Sequence, residues 1–176
     1  MYQSIPVLDF GSQTAQLIVR RLRELGVYSE LLAHDVSEAQ VRALNPCGIV
    51  LSGGPASVYA PGAPGMPAWL PDIGLPVLGI CYGMQLQAHV LGGRVEGEQS
   101  REFGPAVLSI HDTGELFIGM HAFQDVWMSH GDHIAALPPG FETLASSPGA
   151  PFAAAGDPQR RWYGICLLYT SDAADE

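Results

Sequence analysis

The chain has 176 residues, enough for one domain with a sizeable core, and its 47% hydrophobic content excludes a disordered polar segment. Its formal net charge is −10, every basic residue is arginine, and the basic residues cluster only at Arg20-Arg21-Arg23, so a nucleic-acid partner is not expected. No apolar run approaches the roughly 20 residues of a membrane span. The start, MYQSIPVLDF, lacks the basic region of a signal peptide, and the expectation is a cytoplasmic protein with no membrane partner.

Residues 4–9 (SIPVLD) read as a strand, followed by a turn at Gly11-Ser12 with Ser12 as the expected N-cap. Ala15, Ile18, Leu22 and Leu25 then recur at helical spacing over 13–25, and Gly26 stops the helix. A strand over 27–32, a short helix near 37–44 and a strand over 48–52 (GIVLS) come next. The stretch 53–67 holds eight Gly or Pro residues in fifteen and must be a loop. A fourth strand covers 75–80 and a helix 82–91. This alternation predicts an α/β fold, a mostly parallel central sheet flanked by helices, with ligand sites at the carboxyl ends of the strands. Beyond residue 93 the strand-like runs 105–110, 123–128, 141–146, 152–155 and 161–165 predict an antiparallel extension.

Cys81 stands where the fourth strand meets its helix. Gly79-Ile80-Cys81-Tyr82-Gly83 has the form of a nucleophile elbow, in which a sharp turn forces the middle residue into strained dihedrals and holds its side chain out. Glycines two positions away on either side remove side chains that would collide there. The helix N-terminus favours thiolate over thiol. The Tyr82 N–H points where an oxyanion would form, and a second donor is expected from the Gly53-Gly54 turn. The other two cysteines, Cys47 and Cys166, are spaced for neither a disulfide framework nor a zinc site, and no metal site is expected. Cys47 reads as structural, and Trp127 and Met128 as core. LSGGPAS also approaches a phosphate-binding loop, but Ala56 stands where that loop needs aspartate.

Taken together, GICYGMQ (79–85), LSGGP (51–55), DFGSQ (9–13), EFG (102–104) and WMSHGD (127–132) resemble the class I glutamine amidotransferases. The form is that of the amidotransferase domains of glutamine-hydrolysing GMP synthetases, because Tyr82 follows the cysteine and Ser129-His130-Gly131-Asp132 replaces a His-Ser-Leu motif. The resemblance runs in order over about residues 4–165 and implies a flavodoxin-like fold. It implies that Cys81 attacks the side-chain carbonyl of glutamine to form a glutamyl thioester and that ammonia passes to a partner site. Gly54 and Tyr82 would supply the oxyanion hole, and Gly53, Gln85, Ser129, His130 and Gly131 would bind glutamine. The partner would be an ATP pyrophosphatase synthetase domain, in cis or in trans. ATP, magnesium and XMP belong to that domain, so no cofactor is expected in this one.

The family's general base and its orienting carboxylate lie in a G-[IV]-Q-F-H-P-E segment. Tyr163-Gly164-Ile165 begins it correctly, and Cys166-Leu167-Leu168-Tyr169-Thr170 then departs. The histidine position holds Leu168 and the glutamate position Thr170, and no histidine follows His133. The expectation is a domain over 1–165, a tail over 166–176 unlike the family (a truncated gene end or foreign sequence), and an impaired enzyme. His130 is the surrogate base that the sequence offers. Two other readings stay open: a non-catalytic glutamine-binding or regulatory subunit, and an amidotransferase serving anthranilate, carbamoyl phosphate or CTP synthesis.

Overall fold

The computed structural model describes residues 3–112, 114–166 and 169–170, with 98–103, 129–131 and 169–170 in their backbone alone. The first half alternates as its periodicity demands: β1 (Val7–Asp9), α1 (Ala15–Glu24), β2 (Leu31–Ala33), α2 (Glu38–Ala43), β3 (Ile49–Leu51), β4 (Val77–Ile80) and α3 (Tyr82–Val90). A single 3-10 turn, Leu70–Asp72, lies in the connection between β3 and β4.

The ends of α1 differ from expectation at the start and agree at the stop. Thr14, not Ser12, is the N-cap. The Ser12 hydroxyl instead accepts the Thr14 N–H at 3.1 Å, a local turn that competes with capping. At the other end Gly26, at φ 79°, donates to the Arg23 carbonyl, and Val27 donates to the Leu22 carbonyl at 3.0 Å. This paired closure is the Schellman stop, which needs a residue tolerant of positive φ. It uses up Val27, so β2 runs later than the expected 27–32. Its ladder with β1 begins at Leu31, opposite Val7, and Tyr28 makes only an isolated bridge to Ser4.

Ile18, Val19 and Leu22 turn one stripe of α1 toward Val7 and Val50, while Arg20, Arg21 and Glu24 stay in solvent. On the opposite face Leu8, Phe10, Val41, Leu51, Leu70, Tyr82 and Leu86 form the larger core. The parallel strands are thus buried on both faces, which is why they read as unbroken apolar runs.

The second half comprises β5 (Arg94–Ile110), β6 (Phe123–Ala136), β7 (Glu142–Ser146), β8 (Ala154–Asp157), β9 (Trp162–Ile165) and β10 (Tyr169–Thr170). β5 and β6 are far longer than the runs 105–110 and 123–128. Residues 94–104 are rich in charge and glycine, and they are held in strand by the ladder to β6 rather than by their own composition. Trp127 also departs from expectation. Adjacent strand residues face opposite ways, so Met128 is fully buried and Trp127 is 50% exposed.

All the strands join one sheet in the order β10-β6-β5-β7-β8-β9-β4-β3-β1-β2. β9 returns parallel to β4 and closes the parallel half. In a flat sheet the five steps from β9 to β10 would span about 24 Å. Ile165 and Tyr169, however, are joined by a chain that reaches at most about 14 Å. The antiparallel half therefore coils, bringing β6 back beside β9. Ile134 of β6 accordingly shares a core with Ala155, Cys166 and the α3 residues Met84 and Ala88. Among the described residues no helix is long and apolar enough to cross a membrane.

One of the close approaches in the parallel half is that of α3 to β3. A methyl group on Gly83 would lie 2.5 Å from the Leu51 carbonyl oxygen and 2.7 Å from its Cβ, contacts that no side-chain rotation relieves. Gly83→Ala is expected to lose about 1–3 kcal/mol of stability, read as a lower urea midpoint at unchanged slope. Gly65→Ala, with nothing within 4 Å of the added carbon, should stay within about 0.5 kcal/mol of the parent.

Candidate active site

The parallel register places the nucleophile. Leu51 lies opposite Gly79 across β3 and β4, and Ile80 lies opposite Ile165 across β4 and β9. One or two residues further on, Cys81 is flanked by Gly53 on one side and Cys166 on the other. The Cys81 N–H donates to the Ile165 carbonyl at 2.8 Å, which extends the ladder to the turn itself.

Cys81 is the N-cap of α3 at φ 49° and ψ −106°. This is the strained elbow the sequence predicts, at a cost of about 1–3 kcal/mol that the packing around it must offset. Gly79 shows why the motif needs its glycines. A Cβ there would meet the Met84 nitrogen at 2.6 Å and the Gly83 carbonyl at 2.7 Å. The N–H of Tyr82, first in the helix, has no intrahelical acceptor and is available to an oxyanion.

Cys81 opens on a cavity of about 360 Å³ lined by Gly11, Ser12, Thr14, Gly53, Gly54 and Ile80 among others, a volume typical of small-molecule sites. Gly53 faces it so closely that an added Cβ would lie 3.6 Å from Cys81 Cβ. Gly54 is packed with its Cα against the Phe10 carbonyl, leaving no room for a side chain. The turn is held by the Ser52 hydroxyl, which accepts the Phe10 N–H at 2.9 Å and donates to the Gly53 carbonyl at 2.8 Å. A larger hollow of about 820 Å³ runs along α1 between Gln16, Arg20, Arg23 and Leu31, but it is an open groove with no nucleophile.

Tyr82 divides its work. Its ring is buried against Phe10 with centroids 5.7 Å apart, and its hydroxyl donates to the Pro64 carbonyl at 2.6 Å. Burial raises the phenol's pKa and keeps it a donor. Gln85 is also buried, and its Nε2 donates to the Asp132 carbonyl at 3.0 Å, tying α3 to β6. Ser129, His130 and Gly131 lie within β6, with Ser129 opposite Phe103 and His130 opposite Glu102. Only their backbone is described, as for Thr170, and Leu168 lies outside the described residues altogether. Cys47 is structural as expected, its sulfur 3.4 Å from the Ser4 carbonyl.

Two residues that sequence reasoning passed over belong to this neighbourhood. The Cys166 thiol donates a hydrogen bond to the Cys81 sulfur, which holds the Cys81 pKa below the ordinary thiol value against the opposing effect of burial. On the Gln85 side a small cavity of about 10 Å³ is lined by Gln85, His133, Ile134, Phe152 and Cys166 among others. The Nδ1 of His133 is buried without a hydrogen-bond partner among the described residues. Only the pairing of β4 with β9 and the coil of the sheet reveal either residue.

The fold and site define a class. The sequence model of glutamine amidotransferase class-I matches residues 6–165, and the chain belongs to that family. Within it the chain is homologous to part of the GMP synthases. The glutamine-hydrolysing GMP synthase of Thermomicrobium roseum is 58% identical over 153 residues, covering 87% of this chain and 29% of that protein. The enzyme of Lactococcus lactis subsp. cremoris is 51% identical over 163 residues, covering 93% of this chain and 32% of that one. The chain therefore spans about three tenths of the length of these curated relatives. The crystal structure of a putative GMP synthase subunit from Thermoplasma acidophilum matches with a TM-score of 0.83 at 30% identity, over 97% of this chain and 87% of that one. A glutamine amidotransferase from Thermotoga maritima, at 19% identity, shares the fold with a TM-score of 0.71, over 93% of this chain and 75% of that one.

The geometry separates the three thiols chemically. A glutamine-mimicking diazo-ketone amino acid is expected to label Cys81 before Cys47 or Cys166, mapped by peptide mass. Cys166→Ala removes the donor that lowers the Cys81 pKa. The pH profile of Cys81 alkylation should then move to higher pH, with slower labelling near neutrality. An unmoved profile would contradict the contact.

Proposed function

We propose that this chain is the glutamine-hydrolysing module of a GMP synthetase. The observation that carries the reading is Cys81 at φ 49° on the N-terminus of α3, opening on the cavity it shares with Gly53 and Gly54. Cys81 Sγ bonds to the side-chain carbonyl carbon of glutamine while the N–H groups of Gly54 and Tyr82 receive the oxyanion. The C–N bond then breaks, ammonia leaves with an added proton, and water later releases glutamate from the thioester.

Gly53, Gln85 and the Ser129–Gly131 segment bind the amino-acid end of glutamine. Gln85 is buried, and its amide nitrogen ties α3 to the Asp132 carbonyl of β6. The ammonia serves a synthetase domain, in cis or in trans, where it converts XMP to GMP with ATP and magnesium. Residues 1–165 form the family module, and 166–176 depart from the family in sequence, although Cys166 packs against α3 and β10 joins the sheet. Identities of 51–58% to GMP synthases favour this reading over service to anthranilate, carbamoyl phosphate or CTP synthesis.

Two proton transfers need a group this chain lacks at the family's positions. Leu168 and Thr170 can neither protonate the leaving ammonia nor activate water at neutral pH. Glutamate release from glutamine by the chain as written is expected to fall about 10²–10⁴-fold below that of a version with residues 166–170 rebuilt as Gln-Phe-His-Pro-Glu. Both are assayed alone and with a synthetase domain added. Equal turnover by the two would overturn the impairment. Absence of turnover in a folded rebuilt version would overturn the glutaminase reading and favour a glutamine-binding subunit.

A further inference from the structure

We propose that Cys81 and Cys166 form an oxidation site that closes to an intrachain disulfide under a peroxide, with His133 taking the Cys166 proton. The inference rests on thiol chemistry and does not depend on what Cys81 attacks in catalysis.

The backbone already has the required spacing. The two cysteines follow directly on the paired residues Ile80 and Ile165 of adjacent parallel strands. Such strands stand about 4.8 Å apart, inside the range of about 4.4–6.8 Å between the Cα atoms of a disulfide. Both ends are fixed, Cys81 N–H on the Ile165 carbonyl and Cys166 N–H on the Ala153 carbonyl, each at 2.8 Å. The two thiols lie within hydrogen-bonding reach of each other. Closure therefore needs a change of side-chain torsion and no movement of strands.

Access assigns the order of events. Cys81 faces the cavity of about 360 Å³ and meets the oxidant first. Cys166 is 7% exposed, lies on the closed side, and acts second. It shares its small cavity with His133, whose Nδ1 is buried and unpartnered among the described residues. Cys47 precedes β3 and so lies at the opposite end of the parallel strands, out of reach.

The chemistry balances. The Cys81 thiolate attacks one oxygen of hydrogen peroxide, forming a sulfenic acid and releasing hydroxide. Cys166 gives its proton to His133 and attacks the sulfenic sulfur, and the departing hydroxide is protonated to water. In sum two thiols and one peroxide give one disulfide and two waters, and the sulfur pair loses two electrons. Without the second thiol Cys81 would proceed to the irreversible sulfinic acid.

The full chain is treated with a slight excess of hydrogen peroxide, alkylated, digested without reductant and mapped by mass. The expected product is a Cys81–Cys166 peptide pair, an intact chain lighter by about 2 Da, and complete reversal by dithiothreitol. Cys47 remains alkylated. Cys81 gaining about 32 Da while Cys166 is alkylated would overturn the proposal, as would linkage of Cys81 to Cys47 or to another chain. His133→Gln should slow closure about tenfold, with the Cys81 sulfenic acid accumulating to dimedone, and equal closure rates would overturn the role given to His133.

Discussion

The approach of α3 to the β3–β4 pair is the constraint on which the site depends. Gly83 sits against the Leu51 carbonyl, and Gly79 against the start of the helix, with no space for a β-carbon at either position. Because the helix begins there, Cys81 has one residue in which to turn from strand to helix, and it does so at positive φ. The strain, the helix terminus and the cavity are three results of one packing arrangement. Relaxing the approach by a few tenths of an ångström would disturb all three together.

The same arrangement fixes what stands beside the sulfur. In a parallel sheet neighbours are set by register, so the two strands flanking β4 each deliver one residue to Cys81. β3 delivers Gly53, which leaves room for a ligand. β9 delivers Cys166, which fills its side and supplies a hydrogen bond. The coil of the antiparallel half then brings β6 to that filled side, where Gln85 and His133 meet it. Sequence-distant residues converge because the sheet closes on itself, not because any motif unites them.

This explains how much was legible beforehand. The parallel half could be read from Leu8, Val50 and Val77, each in an apolar run between helical patterns, and the elbow from Gly79 and Gly83 flanking Cys81. Those signals are local. The long β5–β6 ribbon was not legible, since Glu96, Gly97 and Glu102 carry no strand signature and are held in strand by a partner far along the chain. Trp127 misled because hydrophobicity says that a residue is apolar but not which face of a strand it occupies. Cys166 and His133 were invisible for a stricter reason: their meaning lies in pairing and curvature, which no single stretch encodes.

The hydrogen bond from Tyr82 to Pro64 gives the nucleophile's neighbour two separate duties. Its main chain faces inward at the turn, while its phenol reaches outward to the proline-rich segment 53–67. That segment is also fastened near its middle, where Tyr59 stacks edge-on with His89 at 5.0 Å and its hydroxyl accepts the Val95 N–H. It thus behaves as a tether with two knots, both tied to α3 or the strand that follows it. Its four prolines give it little slack to lose on folding. Its first residues, Gly53 to Pro55, line the cavity, so a load on the tether reaches both that wall and the residue next to the sulfur.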